Sequence, residues 1–197
     1  PPTDYKGATP INNQFVVQIA ENSVPGIYEI RAFGRFGLST PRRFVVGLND
    51  ELFCNDQNKT ADTAPAITIN STVNARAIAN GKHFYKFSLN KGEKISIECQ
   101  AKSLDSKMDP VLVVCDVNGR EIQRCRSSTQ KNAVLFFQAP ISSQYILHVR
   151  DAVYAGGPDF FYRLTVPTRP YIKSVHPSVI QRNTNPDVTL AGWNLKG

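Results

Sequence analysis

Apolar and polar positions alternate with a period of two along most of this chain, and stretches with helical spacing are almost missing. FVVQIA (15–20), GIYEIRAF (26–33) and RRFVVG (42–47) are short, rich in β-branched or aromatic residues, and bounded by Gly, Pro and Asn. Tyr28 and Ile30 alternate with Glu29 and Arg31, as a half-buried strand requires. Residues 48–66 break the rhythm and read as a polar linker. Strands then resume as AITIN, VNARAI, KHFYKFSL, EKISIECQAK, DPVLVVCDV, REIQRC, AVLFFQAP, QYILHVRD and FFYRLTV. In KISIECQ, Ile95, Ile97 and Cys99 share one face, and Lys94, Ser96 and Glu98 the other. Eight or nine strands with closely spaced turns predict an antiparallel β-sandwich or barrel.

Three strands before residue 47 are too few to bury a core of their own. The prolines after Val166 mark a second linker, and YIKSVHP and DVTLAGWNL then read as opening strands of a further unit. The layout is one whole sandwich with the tail of a module before it and the head of one after it. SSQYILHVRD repeats the pattern of VPGIYEIRAF: Tyr145 and Leu147 in one, and Tyr28 and Ile30 in the other, share a strand face just after a turn.

Composition changes this picture little. The 197 residues are 41% hydrophobic and 20% charged, which is globular, and no apolar run approaches the ~20 residues that span a bilayer. The net charge of +7 is spread as +2, +2 and +3 over residues 1–47, 48–167 and 168–197, without the basic face of a nucleic-acid binder. The opening PPTDYKGATP reads as part of something longer, so no compartment follows from it.

Cys54, Cys99, Cys115 and Cys125 form no CxxC, and no histidine sits at zinc-finger spacing, so a structural zinc site is not expected. Cys115 and Cys125 flank an Asn-Gly turn, but a two-residue turn there places Ile122 opposite Cys115. One disulfide and four reduced, packed thiols both fit. His83, His148 and His176 are scattered, and His148 reads as a solvent-facing or satisfied strand residue. HExxH and GxSxG are missing. NKT (58–60) and NST (70–72) match the glycosylation sequon by spacing alone.

VRDAVYAGGPDFFYRLTV (149–166) is the most polar interruption between apolar runs. Asp151 is placed to accept backbone amides in an Asx-type turn, Gly156 and Gly157 to take backbone angles other residues avoid, and Pro158 to stop a ladder. The segment reads as a wide hairpin, with Tyr154, Asp159 and Phe160 as candidate binding residues at its tip.

The order of features over residues 50–166 resembles the bacterial pre-peptidase C-terminal domain family. ELFCNDQNKTADTA resembles its acidic, Asn-rich lead, VNARAIANGKHFYKFSLNKGEKISIE its strand, turn and aromatic strand, and LDSKMDPVLVVCDVNGREI its Asp-Pro strand and turn. FFQAPISSQYILHVRD and YAGGPDFFYRLTV resemble its late strand and closing hairpin. The flanks resemble immunoglobulin-like and IPT/TIG-type modules, as in large secreted or envelope proteins of bacteria. The resemblance implies an all-β, jelly-roll-like antiparallel sandwich over residues 48–167. Residues 1–47 would be the C-terminal part of an immunoglobulin-like module, and residues 168–197 the start of an IPT/TIG-like one.

The same resemblance implies a non-catalytic, extracytoplasmic module that mediates assembly or adhesion through other subunits or neighbouring domains. The alternative is a polysaccharide- or fibrous-polymer-binding accessory of a secreted hydrolase or peptidase. Nucleic acid and membrane insertion are not expected, nor is a cofactor. Some relatives bind calcium through the lead segment and an acidic turn, which leaves Glu51, Asn55 and Asp56 as candidate ligands. Lys82 and His83 stand where that turn carries acids, and an ammonium in the shell repels a divalent cation.

Overall fold

The structure, a computed structural model, describes residues 15–54, 56–127 and 132–195. Its strands are β1 (Gly26–Ile30), β2 (Phe33–Gly34), β3 (Gly37–Leu38), β4 (Arg42–Val46), β5 (Glu51–Phe53), β6 (Thr72–Arg76), β7 (His83–Leu89) and β8 (Lys94–Gln100). After a 3-10 turn at Lys102–Leu104 follow β9 (Pro110–Cys115), β10 (Glu121–Arg126), β11 (Ala133–Gln138), β12 (Ser143–Asp151), β13 (Phe161–Thr165), β14 (Tyr171–His176) and β15 (Thr189–Trp193). The architecture is all-β, as the alternation predicts.

Two sheets make the sandwich, one ordered β10-β9-β12-β7 and the other β11-β8-β13-β6-β5. Only the β5–β6 pairing among these is parallel. The strand alternation sends Tyr85, Phe87, Ile95, Ile97, Leu112 and Leu147 into the shared core. Phe87, Phe137 and Tyr145 meet there with ring centroids 5.0–6.3 Å apart. β9 is buried along its whole length. Its second face, with Val111, Val113 and Cys115, lies under Phe84, Ala61 and Ala152, which is why PVLVVC is a continuous apolar run.

Residues 48–66 are more than a linker. They supply β5 and then latch onto β7: Phe84 N–H donates to Asn58 O (2.8 Å), Asn58 Nδ2 to Phe84 O (3.0 Å), and Lys86 N–H to Pro65 O (2.8 Å). The latch gives β7, an edge strand, partners for its outward backbone groups. Asn58 is buried by it, which leaves the NKT sequon no free amide.

Three local expectations are corrected. FVVQIA forms no strand: residues 15–20 are all exposed, and among the described residues no strand pairs with them. AITIN forms only a single bridge, Ala66 to Lys86. In the β9–β10 hairpin, Glu121 and not Ile122 faces Cys115, because Gly119 takes a left-handed φ of 80° and the turn carries one extra residue. Asp116 Oδ1 holds that turn by accepting Asn118 N–H and Arg120 N–H, both at 2.9 Å. Cys125 therefore pairs with Leu112, and all four cysteines are free thiols.

The flanks form two-stranded sheets, β1–β4 and β14–β15, with a small β2–β3 ribbon. Arg43 N–H donates to Asp105 Oδ2 (3.1 Å), tying β4 to the sandwich. β14–β15 docks on the outer face of the five-stranded sheet: Phe136 meets Tyr171 at 5.0 Å and Trp193 at 5.5 Å. Arg169 pairs with Glu98 at 2.8 Å beside them. The repeated tyrosine pattern has a shared geometry. Tyr145 OH donates to Ile141 O (2.6 Å), and Tyr28 OH to Val24 O, each four residues back.

Candidate functional site

Side chains from both sheets and from the latch converge where β5 ends and β7 begins. His83, the first residue of β7, is buried, and its Nδ1 lies 2.8 Å from the hydroxyl of Tyr162 on β13. Tyr162 OH is 2.7 Å from Tyr85 OH, whose surroundings include Asn58 and Cys54. The tyrosines, His83 and Asn58 are buried, and a buried polar chain of this kind persists only when its members are satisfied. One atom is not: His83 Nε2 has no hydrogen-bond partner among the described residues. It faces Asp56 Oδ1 at 3.5 Å. Cys54, directly after β5, completes the group, with Sγ, the carboxylate and the imidazole nitrogen all within 4.8 Å of one another.

Burial sets the protonation of this network. Desolvation, the largest influence, pulls His83 below its ordinary range, against the pull of the Asp56 carboxylate. Burial likewise pushes the phenols of Tyr85 and Tyr162 well up, so both stay protonated as hydrogen-bond donors. Nδ1 is engaged by the Tyr162 hydroxyl, and Nε2 is the ring atom turned toward Cys54 and Asp56. Cys54 gives its S–H to Asn58 Oδ1 at 2.9 Å rather than to His83, so it is not aligned as a nucleophile with a base. The group opens on a cleft of about 350 Å³ whose walls include Arg76, Phe161 and Tyr162.

The residues singled out in the sequence fall in different places. Asp56 is in this cluster, at a left-handed φ of 59°. Glu51 is not: its carboxylate takes Arg163 Nη2 on one oxygen and Asn74 Nδ2, at 2.6 Å, on the other. Asn55 lies outside the described residues. Among the described residues, the donors grouped with Asp56 are a thiol and an imidazole, softer ligands than the oxygens calcium takes. In the sequence Cys54 was one of four scattered cysteines and His83 a departure from an acidic turn. They meet across two sheets, and no local spacing announces that.

The hairpin tip behaves structurally. Buried Asp151 accepts Asp109 N–H (2.8 Å), Val153 N–H (2.9 Å) and Ala155 N–H (3.0 Å), the Asx-type anchoring its position predicts. A Cβ on Gly156 would lie 2.2 Å from Ala79 N, so this glycine is required by close backbone approach. Asp159 pairs with Lys107 at 2.7 Å, and Phe160 packs against the core. Tyr154 is exposed, with the Arg150 guanidinium 4.3 Å from its ring centre.

No protein-family model and no curated protein matches this chain. Among solved structures, it is similar to the pre-peptidase C-terminal domain of a collagenase from Bacillus anthracis, at 18% identity and a TM-score of 0.43, over 52% of this chain and 93% of that one. It is also similar to PliG of Aeromonas hydrophila, a periplasmic inhibitor of g-type lysozyme, at 8% identity and a TM-score of 0.39, over 60% of this chain and 98% of the other.

Proposed function

We propose that this chain is a non-catalytic sandwich module, of pre-peptidase C-terminal type, in a larger extracytoplasmic protein, and that it works by contact with other subunits or neighbouring domains. The distribution of exposed apolar area carries the reading. Phe33, Phe36 and Leu48 are 84–91% exposed, and Ile27, Ile30, Leu38 and Ile172 stand largely in solvent on the flanking sheets. The sandwich buries Tyr85, Phe87, Phe137, Tyr145 and Tyr162 in its core and leaves Phe53 exposed on its edge strand β5. Large apolar side chains exposed on the flanking sheets supply area for contact with another polypeptide. The compartment and the family rest on the ordered sequence features of residues 50–166.

Polymer binding by stacking calls for a row of exposed aromatic rings. At the hairpin tip Phe160 is packed and Asp159 is paired, leaving Tyr154 alone with Arg150, which favours the interaction reading. Crosslinking mass spectrometry on the native parent protein tests it. Lysine crosslinks from Lys173 on β14 to other polypeptides or to distant domains are expected. Crosslinks confined to this chain, together with retention on an insoluble polysaccharide that Tyr154→Ala abolishes, would replace it with the polymer-binding alternative.

A further inference from the structure

We propose that Cys54, Asp56 and His83 form a three-ligand site for a zinc-type divalent ion, with its remaining position open to the cleft. Four observations converge on it. The three donor atoms already lie within 4.8 Å of one another. Asp56 Oδ1 and His83 Nε2 are 3.5 Å apart, close to the roughly 3.3 Å edge of a tetrahedron built with zinc–ligand bonds of about 2.0–2.1 Å. His83 Nε2 is buried, unpartnered and aimed at the other two donors. Its far nitrogen is fixed by Tyr162, the arrangement by which a ligating imidazole is normally oriented.

The donor chemistry selects the ion. A thiolate and an imidazole beside one carboxylate suit a borderline-soft metal and disfavour calcium or magnesium, which take oxygen ligands. Three protein ligands with an open position, facing a cleft of about 350 Å³, is the pattern of a site that keeps a water or exchangeable ligand on the metal. Asp56 is exposed, so its side chain swings onto an ion without disturbing the core, and the buried imidazole does not have to move. Cys54 and His83 are supplied by opposite sheets, so the ion would also tie the latch segment to the end of the sandwich.

Cobalt(II) uptake by the whole 197-residue chain, stripped of metal with a chelator, tests the site. The expected result is one equivalent bound, with thiolate-to-cobalt charge-transfer absorption and the visible bands of a tetrahedral centre, displaced by zinc and not by excess calcium. Cys54→Ser removes the charge-transfer band, and Asp56→Asn weakens binding at least tenfold while keeping it. Asp56 is exposed and Cys54 is half-buried at the margin of the core, and an unchanged melting curve without metal shows that each variant folds. Failure of the folded wild-type chain to bind an equivalent of either metal would overturn the proposal. So would a charge-transfer band that survives Cys54→Ser, since that places the metal on another thiol.

Discussion

His83 on β7 and Tyr162 on β13 meet across the two sheets, with Nδ1 and the hydroxyl 2.8 Å apart in a buried position. The contact is the polar rivet of an otherwise apolar core, and it fixes which way the imidazole faces. Tyr162→Phe removes the partner of both His83 Nδ1 and Tyr85 OH. The expected loss of stability is about 1–3 kcal/mol in denaturant unfolding. Metal affinity is expected to fall roughly 10–100-fold with all three ligands still present. An unchanged affinity would show that Tyr162 does not orient the ring.

Asp151 organises the turn after β12 through three backbone amides. Asp151→Ala leaves those donors without their charged acceptor in a buried site, at a cost of about 3 kcal/mol. Denaturant midpoints check this. A change below about 0.5 kcal/mol would mean that water replaces the carboxylate.

His148 provides a pH signature. Burial, aided by Lys82 and Arg150, lowers its pKa to about 4. Between the unfolded value of about 6.5 and the folded one, the unfolded chain takes up a proton that the folded chain refuses. Stability contributed by neutral His148 is therefore full above pH 6.5 and lost as pH falls toward 4. With screening of this half-buried ring, the loss is on the order of 1–2 kcal/mol. Replacing His148 with Gln should flatten the difference between unfolding at pH 7 and pH 4.5 by that amount. Parallel pH profiles for the two proteins would contradict the assignment.

Trp193, the single tryptophan of the chain, reports on the docking of β14–β15. Phe136 contributes the ring on which Tyr171 and Trp193 rest. Phe136→Ala should shift Trp193 emission to the red while the sandwich melts nearly as before. Unaltered emission would mean that Arg169–Glu98 and the bonds from Asn194 Nδ2 to Lys94 O and Thr168 O hold the sheet without the aromatic contact.

Period-two alternation was enough to locate β7, β11 and β13, because each has one face in a common core, whereas β9 showed as a continuous apolar run because both its faces are covered. It misled at FVVQIA, whose apolar residues have no strand to pair with among the described residues. It was silent on residues 48–66, whose structure comes from hydrogen bonds to β7 rather than from their own pattern. The candidate site was legible in one residue. Asp56 belonged to a suspected acidic lead, whereas Cys54 and His83 become neighbours only once β5 and β7 are at the same end of the sandwich. Glu51 read as a ligand and is instead the partner of Arg163, a role set by strand register.

The most direct test of the metal centre is anomalous diffraction at the zinc edge, from crystals of the whole chain grown with one equivalent of zinc. An anomalous peak bounded by Cys54 Sγ, His83 Nε2 and the Asp56 carboxylate, with Tyr162 still bonded to Nδ1, is the predicted result. Zinc found only on surface residues, with His83 Nε2 still facing an empty space, would contradict it.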